Sequence, residues 1–199
     1  MNTLDSRLFR TANIIVDFFL LNLLWVIASI PVITFFPATA AMFGVVRKWI
    51  LKKETKGVLL TFTSLFKEAI FKQFHVAIVW YIAAFIIYLD FNLIEHMANP
   101  TLFFVVILYA GGFLFAITSL YLFPVIVHYD LRLRHMWKNS LYLAIIHPRI
   151  TITLLLIAGL GVMCFYLLPI SILFLGSFFA LLIYYTCQIA FNRIEILRS

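Results

Sequence analysis

Long runs of apolar residues dominate this sequence, and the longest, residues 101–127, contains no charged side chain. Of the 199 residues, 65% are hydrophobic and 12% are charged, whereas a typical water-soluble domain has about 25% charged residues. A soluble fold of this size has too little interior to bury so many apolar side chains. Backbone groups in lipid must be paired internally, and the runs lack the alternation of a β-barrel. The sequence therefore predicts an all-α, polytopic bundle of transmembrane helices.

Each apolar run is a candidate membrane span. A helix needs about 20 residues to cross a hydrocarbon core about 30 Å thick. Residues 35–50 give only about 24 Å of helix, so this second run fits either a short span or a re-entrant helix. We expect a single integral membrane domain, residues 1–199, with about six spans. The expected spans are approximately residues 12–32, 35–50, 75–94, 101–127, 150–168 and 170–191.

The basic residues are distributed on one side of this threading. All 15 lysines and arginines precede the first run, follow the sixth, or lie from the end of the second run to the third and between the fourth and the fifth. The connection at residues 90–100 carries Asp90 and Glu95 instead. The positive-inside rule then places the basic segments and both termini in the cytoplasm. Membrane topology alone is a sufficient reason for the net charge of +7, so the sequence does not indicate nucleic-acid binding.

One basic connection has the pattern of an amphipathic helix rather than a span. In residues 56–73, apolar side chains such as Phe62 and Ala69 fall on one helical arc, and lysines such as Lys67 fall on the other. A basic helix with an aromatic-rich face fits the lipid interface. It fits equally well as a cytoplasmic segment docked under the bundle.

The chain reverses direction between the first two runs. Pro31 and Pro37 bracket this reversal, because proline is disfavoured inside a helix but suits its first turn. Thr34 is expected to cap the returning helix, and Ala40 and Gly44 offer a small face for close helix packing. Two interpretations stay open, a tight helical hairpin or an exposed helix start that binds a polar ligand, as in some transporters.

The same stretch resembles the YesL-like family of bacterial integral membrane proteins, a domain family of unknown function. The residues that carry the resemblance are Asn22 and Trp25 in the first run, the Pro31 to Ala41 reversal, Val46-Arg47-Lys48, Phe66-Lys67, Phe71-Lys72-Gln73 and Tyr121-Leu122-Phe123-Pro124. The chain departs from the family pattern at Phe36, where glycine is expected before the second proline. The resemblance implies a place beside carbohydrate-uptake and polysaccharide-degrading systems.

Four polar residues in the first two runs and the turn between them are candidates for binding a substrate or ligand. An ionisable group in the membrane interior is costly, so Asp17 needs either an ion-pair partner or a function. Asn22, Thr34 and Thr39 are the other available polar linings of a path through the bundle. Hydrogen bonding between helices is the alternative explanation for these uncharged groups.

The sequence contains no motif for catalysis, metal binding or a cofactor, so a non-enzymatic role in the cell membrane is expected. The expected partners are the lipid bilayer and either a sugar permease or a second copy of the chain. The residues expected to dock a partner are Arg47, Lys48, Lys52, Lys53, Arg132, Arg134 and Lys138. The alternative function is that of a small stand-alone transporter or channel.

Overall fold

A computed structural model describes the backbone of residues 3–53, 57–97, 100–129 and 133–198, and side chains of these ranges between residues 12 and 193, except residue 133. Along this described chain, helix follows helix without an intervening strand. The helices are α1 (Thr3–Ser29), α2 (Phe35–Ile50), α3 (Val58–Lys72), α4 (Phe74–Glu95), α5 (Leu102–His128), α6 (Leu133–Ile146), α7 (Pro148–Leu167) and α8 (Ile172–Arg198), with short 3-10 turns at Val32–Thr34 and Pro169–Ser171. The predicted all-α fold class is confirmed.

Five of the described helices, α1, α4, α5, α7 and α8, are long and apolar enough to cross a membrane. Their outward faces carry large apolar side chains, including Phe85, Phe104 and Leu156, that no other part of the described chain covers. Apolar patches of this extent are rare on soluble monomers, whereas lipid solvates them. The chain is therefore a polytopic helical membrane protein.

Helix α2 lies at the centre of the bundle. Every residue from Phe36 to Val46 is buried, and α1, α3, α5 and α8 all contact this helix. Its 16 residues make it shorter than the five long apolar helices. The prediction that α2 forms either a short span or a re-entrant helix stays a prediction.

Helix α3 packs back along α2 rather than standing apart from the bundle. A Cβ atom added at Gly44 of α2 would lie 2.9 Å from Leu65 Cδ1 of α3, so a larger residue at this position would displace the Leu65 side chain. Val58, Phe62 and Ala69 are buried on the inner face of α3, while Lys67 is exposed on its outer face. Of the amphipathic segment predicted at 56–73, the part at residue 56 lies outside the described residues.

The turn between α1 and α2 is attached to α4 by Tyr81. The Tyr81 hydroxyl donates to the carbonyl of Val32 at 2.6 Å and accepts the backbone N–H of Phe36 at 3.1 Å. About 10 Å of helical rise separates Tyr81 from Phe74, and about 21 Å separates it from Glu95. The turn therefore contacts α4 much nearer its beginning than its end.

Candidate functional site

Asn22 links α1 to α8 through the backbone. Its side chain is fully buried, and its Oδ1 accepts the N–H of Ser177 at 2.7 Å. The Ser177 hydroxyl in turn donates to the carbonyl of Phe18 at 3.0 Å. Such contacts are typical of helix packing in membranes.

The two threonines of the reversal are also used in local hydrogen bonds. Thr39 accepts the indole N–H of Trp25 at 3.1 Å and donates to the carbonyl of Phe35 at 2.8 Å. Thr34 occupies the N-cap position of α2, but its side chain makes no capping bond. Its hydroxyl donates instead to the carbonyls of Ala28 and Pro31, each at 2.7 Å. The expectation that Thr34 caps α2 through its side chain is wrong, because the turn's own carbonyls take that hydroxyl.

The four candidate ligand residues are not brought together in the cavity that Thr34 lines. Thr34 lines an apolar cavity of about 420 Å³ together with Pro37 and Tyr81, and Asp17, Asn22 and Thr39 are not among the residues that line it. Asp17 is partly exposed on α1. Ligand binding by these four residues stays a prediction.

A second cavity, of about 490 Å³, has a lining rich in charged and polar residues and is called the basic cavity below. It lies between α2, α3, the end of α5 and Met136 of α6. Small and apolar residues of α2 and α3, including Gly44 and Leu65, form one wall. Its charged and polar lining residues are Arg47, Lys48, Glu68, Lys72, Gln73, His128 and Tyr129.

Arg47 joins three helices at this cavity. Its guanidinium lies beside the hydroxyl of Tyr184 on α8, and the same hydroxyl is 2.9 Å from Nδ1 of His128 on α5. The Nε atom of Arg47 is nevertheless buried and has no hydrogen-bond partner among the described residues. Buried donors are nearly always paired in native proteins, so this unpaired atom is unusual.

Gln73 is the second residue of the basic cavity with an unsatisfied atom. It lies at the break between α3 and α4, and its buried Oε1 has no partner within the described part of the chain. Beside it, Lys72 forms an ion pair with Glu68 at 2.8 Å. The cavity thus combines an unsatisfied donor on a cation with an unsatisfied acceptor.

The residues predicted to dock a partner lie around this end of the bundle. Arg47 and Lys48 line the basic cavity, and Lys52 and Lys53 are exposed just after α2. On α6, exposed basic residues flank Met136, which also lines the cavity; they are Arg134 and Lys138. Arg132 lies outside the described residues. Docking by this set stays a prediction.

No group of three or more His, Cys, Asp or Glu side chains within the described residues could hold a metal ion. The basic cavity itself was not predicted, because its walls come from residues far apart in the sequence. The Arg47-Lys48 pair at the end of a buried helix was the available signal. Tyr184 and His128 each lie near the end of an apolar run and gave no separate signal.

The chain is similar in sequence to one protein family and to several bacterial proteins. Residues 18–91 match the protein family described as a protein of unknown function, DUF624. Three similar proteins come from Bacillus subtilis (strain 168), and each is described as uncharacterised. YteU is 35% identical over 82% of this chain and 73% of its own length; YesL is 32% identical over 82% and 79%; and YesV is 26% identical over 97% and 95%. No solved structure matches the chain.

Proposed function

The chain belongs to the YesL-like family, DUF624, and from that premise we propose that it is a non-enzymatic component of the bacterial cell membrane that assists or regulates carbohydrate uptake or use. The family resemblance supports the link to carbohydrate. The arrangement of the basic residues supports an accessory role, in which the protein acts by contacting another membrane protein.

The observation that carries this proposal is the meeting of separate basic segments at one end of the bundle. Arg47 and Lys48 on α2 line the same cavity as Met136 on α6, although almost ninety residues separate them. A cationic surface assembled from two helices and the loop after α2 suits an acidic surface on a partner, since complementary charge raises association rates and selects the partner.

The proposal places this basic end, and both termini, in the cytoplasm, as the positive-inside rule requires. The partner is then the cytoplasmic face of a sugar permease. A surface of this kind is sensitive to ionic strength, because exposed charges are screened within about 10 Å at 0.1 M salt.

Site-specific photo-crosslinking in native membranes tests the proposal. A photo-reactive residue replaces Lys53 or Lys138 at the basic end. Met97, in the connection between α4 and α5, serves as the control position. We expect permease adducts from the first two positions and none from the third. Adducts with a second copy of this chain would instead identify a homo-oligomer and contradict the permease contact.

Transport by the isolated protein is the opposing outcome. The purified chain is reconstituted alone into liposomes and tested for uptake of labelled sugars. The accessory role predicts uptake no greater than that of empty liposomes. Uptake that depends on this chain alone would overturn the proposal in favour of a stand-alone transporter.

A further inference from the structure

We propose that the basic cavity binds a hydroxylated phosphate ester, with Arg47 and Lys48 on the phosphate and Gln73 accepting a hydrogen bond from a hydroxyl group of the ligand. This inference does not depend on the docking of a permease. It rests on the unsatisfied atoms, the charge and the size of the cavity.

The first argument is the unsatisfied donor. The buried Nε of Arg47 has no hydrogen-bond partner among the described residues, although the guanidinium as a whole is held in place beside Tyr184. A planar guanidinium that is already oriented loses little freedom when it binds a tetrahedral oxyanion, and arginine matches phosphate oxygens with two parallel bonds. Arg47 is therefore positioned for an anionic group before the ligand arrives.

The second argument is the charge of the cavity. Arg47 and Lys48 contribute two positive charges, and the charge of Lys72 is balanced by its ion pair with Glu68 at 2.8 Å. A phosphate monoester carries about 1.5 to 2 negative charges at neutral pH, and a diester carries one. The cavity's two excess positive charges are balanced by a phosphate monoester and about half balanced by a diester, whereas a neutral sugar leaves both unbalanced.

The third argument is the unsatisfied acceptor. The Oε1 atom of Gln73 is buried without a partner in the described structure, and it lines the same cavity as Arg47. An anion has no proton to give this oxygen, but a hydroxyl on the same ligand has one. The cavity therefore selects a phosphate that carries a hydroxylated group.

The size of the cavity agrees with such a ligand. Its volume is about 490 Å³, and small-molecule sites usually measure about 300 to 1,000 Å³. The apolar wall around Gly44 and Leu65 gives the carbon body of the ligand a surface to contact. The same chemistry occurs in a phosphatidylglycerol headgroup and in a free phosphate ester such as glycerol 3-phosphate.

Binding to the full-length protein in phosphatidylcholine nanodiscs separates these two sources. In the lipid arm, native mass spectrometry measures the phosphatidylglycerol retained when that lipid is mixed into the nanodisc. In the soluble arm, calorimetry measures binding of glycerol 3-phosphate and glucose 6-phosphate, with glycerol and glucose as uncharged controls. We expect binding in at least one arm and none of the uncharged controls. Absence of binding in both arms would overturn the proposal.

Matched variants test the assignment of residues. We expect Arg47→Gln to weaken binding by about 10-fold or more and Lys48→Gln to weaken it by a smaller factor. The control is Arg149→Gln, which makes an equal change of charge at an exposed residue outside the cavity. It should leave the affinity within about 2-fold. Equal losses for Arg47→Gln and Arg149→Gln would show diffuse attraction only and contradict the site. If Arg47→Gln does not fold, the comparison of Lys48→Gln with Arg149→Gln decides.

The hydroxyl contact has its own test. Gln73→Leu should weaken glycerol 3-phosphate or phosphatidylglycerol binding several-fold and leave the affinity for inorganic phosphate unchanged. Unchanged affinity for all of these probes would remove Gln73 from the site. A general loss, including inorganic phosphate, would mean that Gln73 only supports the fold of the α3–α4 break.

Discussion

Several polar side chains inside this bundle are paired across helices rather than left to face lipid. Trp25 donates to Thr39 at 3.1 Å, Trp80 donates to Ser119 at 2.9 Å, and the hydroxyls of Tyr121 and Thr151 lie 2.9 Å apart. Apolar attraction between helices is weak in lipid, since the lipid chains are as apolar as the side chains. Individual hydrogen bonds therefore help to decide which helices become neighbours.

The Trp25–Thr39 bond between α1 and α2 gives a direct measure of this effect. In a double-mutant cycle of Trp25→Phe and Thr39→Val, we expect an interaction free energy of about 0.6 to 2 kcal/mol. Reversible unfolding in bicelles provides the four free energies of unfolding. Effects that add to within about 0.3 kcal/mol would contradict a stabilising bond and return Thr39 to the list of candidate ligand residues.

Tyr81 has a larger expected effect, because its hydroxyl pairs with two backbone groups of the α1–α2 turn. Tyr81→Phe leaves the Val32 carbonyl and the Phe36 N–H without this partner, so we expect the free energy of unfolding to fall by about 1 to 3 kcal/mol. Tyr88→Phe, at an exposed position on the same helix, is the control and should change little. Equal effects of the two variants would show that the Tyr81 hydroxyl does not support the turn.

At the scale of elements, the contact between α1 and α8 depends on the absence of a side chain at Gly176. A Cβ atom there would lie 2.8 Å from Asn22 Oδ1, the atom that accepts the Ser177 N–H. We expect Gly176→Ala to push the two helices apart and to lower the free energy of unfolding by about 1 to 3 kcal/mol.

Gly159 on α7 is the matched control for this substitution. An added Cβ there meets no atom within 4 Å, and alanine has the higher helix propensity. Gly159→Ala should therefore leave the free energy of unfolding unchanged or raise it slightly. Unfolding of both variants is measured in one detergent. If Gly176→Ala and Gly159→Ala changed the free energy of unfolding by the same amount, the α1–α8 contact would not depend on the absence of a side chain at Gly176.

The sequence predicts what depends on local composition and misses what depends on distant contacts. Helix α2, Phe35–Ile50, covers the second apolar run, since hydrophobicity and flanking prolines are local signals. The packing of α3 along α2, and the meeting of Arg47 with Tyr184, join residues that no periodicity relates. The basic cavity could not be predicted for the same reason, although two of its cations were singled out for docking.

At the scale of the whole molecule, the tip of the α1–α2 hairpin has the character of a lipid-embedded turn. Ile30, Val32 and Ile33 are 74%, 75% and 79% exposed, and a turn in water rarely presents such residues. The Tyr81 hydroxyl donates to the carbonyl of Val32 in this turn, and the Thr34 hydroxyl donates to the carbonyl of Pro31. Pairing of these polar groups lowers the cost of placing an irregular turn in contact with lipid.

The position of this turn along α4 is the argument for a re-entrant hairpin, whereas the 18-residue apolar window of α1, Ala12–Ser29, fits two full crossings. If α4 spans a hydrocarbon core about 30 Å thick, Tyr81 lies about a third of the way from its Phe74 end. A re-entrant hairpin and two full crossings both keep the number of crossings even. Both therefore agree with the orientation predicted from the basic residues.

Cysteine labelling distinguishes the two threadings. In a background in which Cys164 and Cys187 are replaced by alanine, Ile33→Cys and Met97→Cys are treated on intact cells with a membrane-impermeant maleimide. We expect label at position 97, because the proposed orientation places the α4–α5 connection at the outer surface. We expect none at position 33, because a re-entrant hairpin keeps its apolar tip in lipid. Both positions should react after detergent solubilisation, which shows that the thiols are present. Equal labelling on intact cells would mean that α1 and α2 each cross the whole bilayer, and that the apolar tip contacts water.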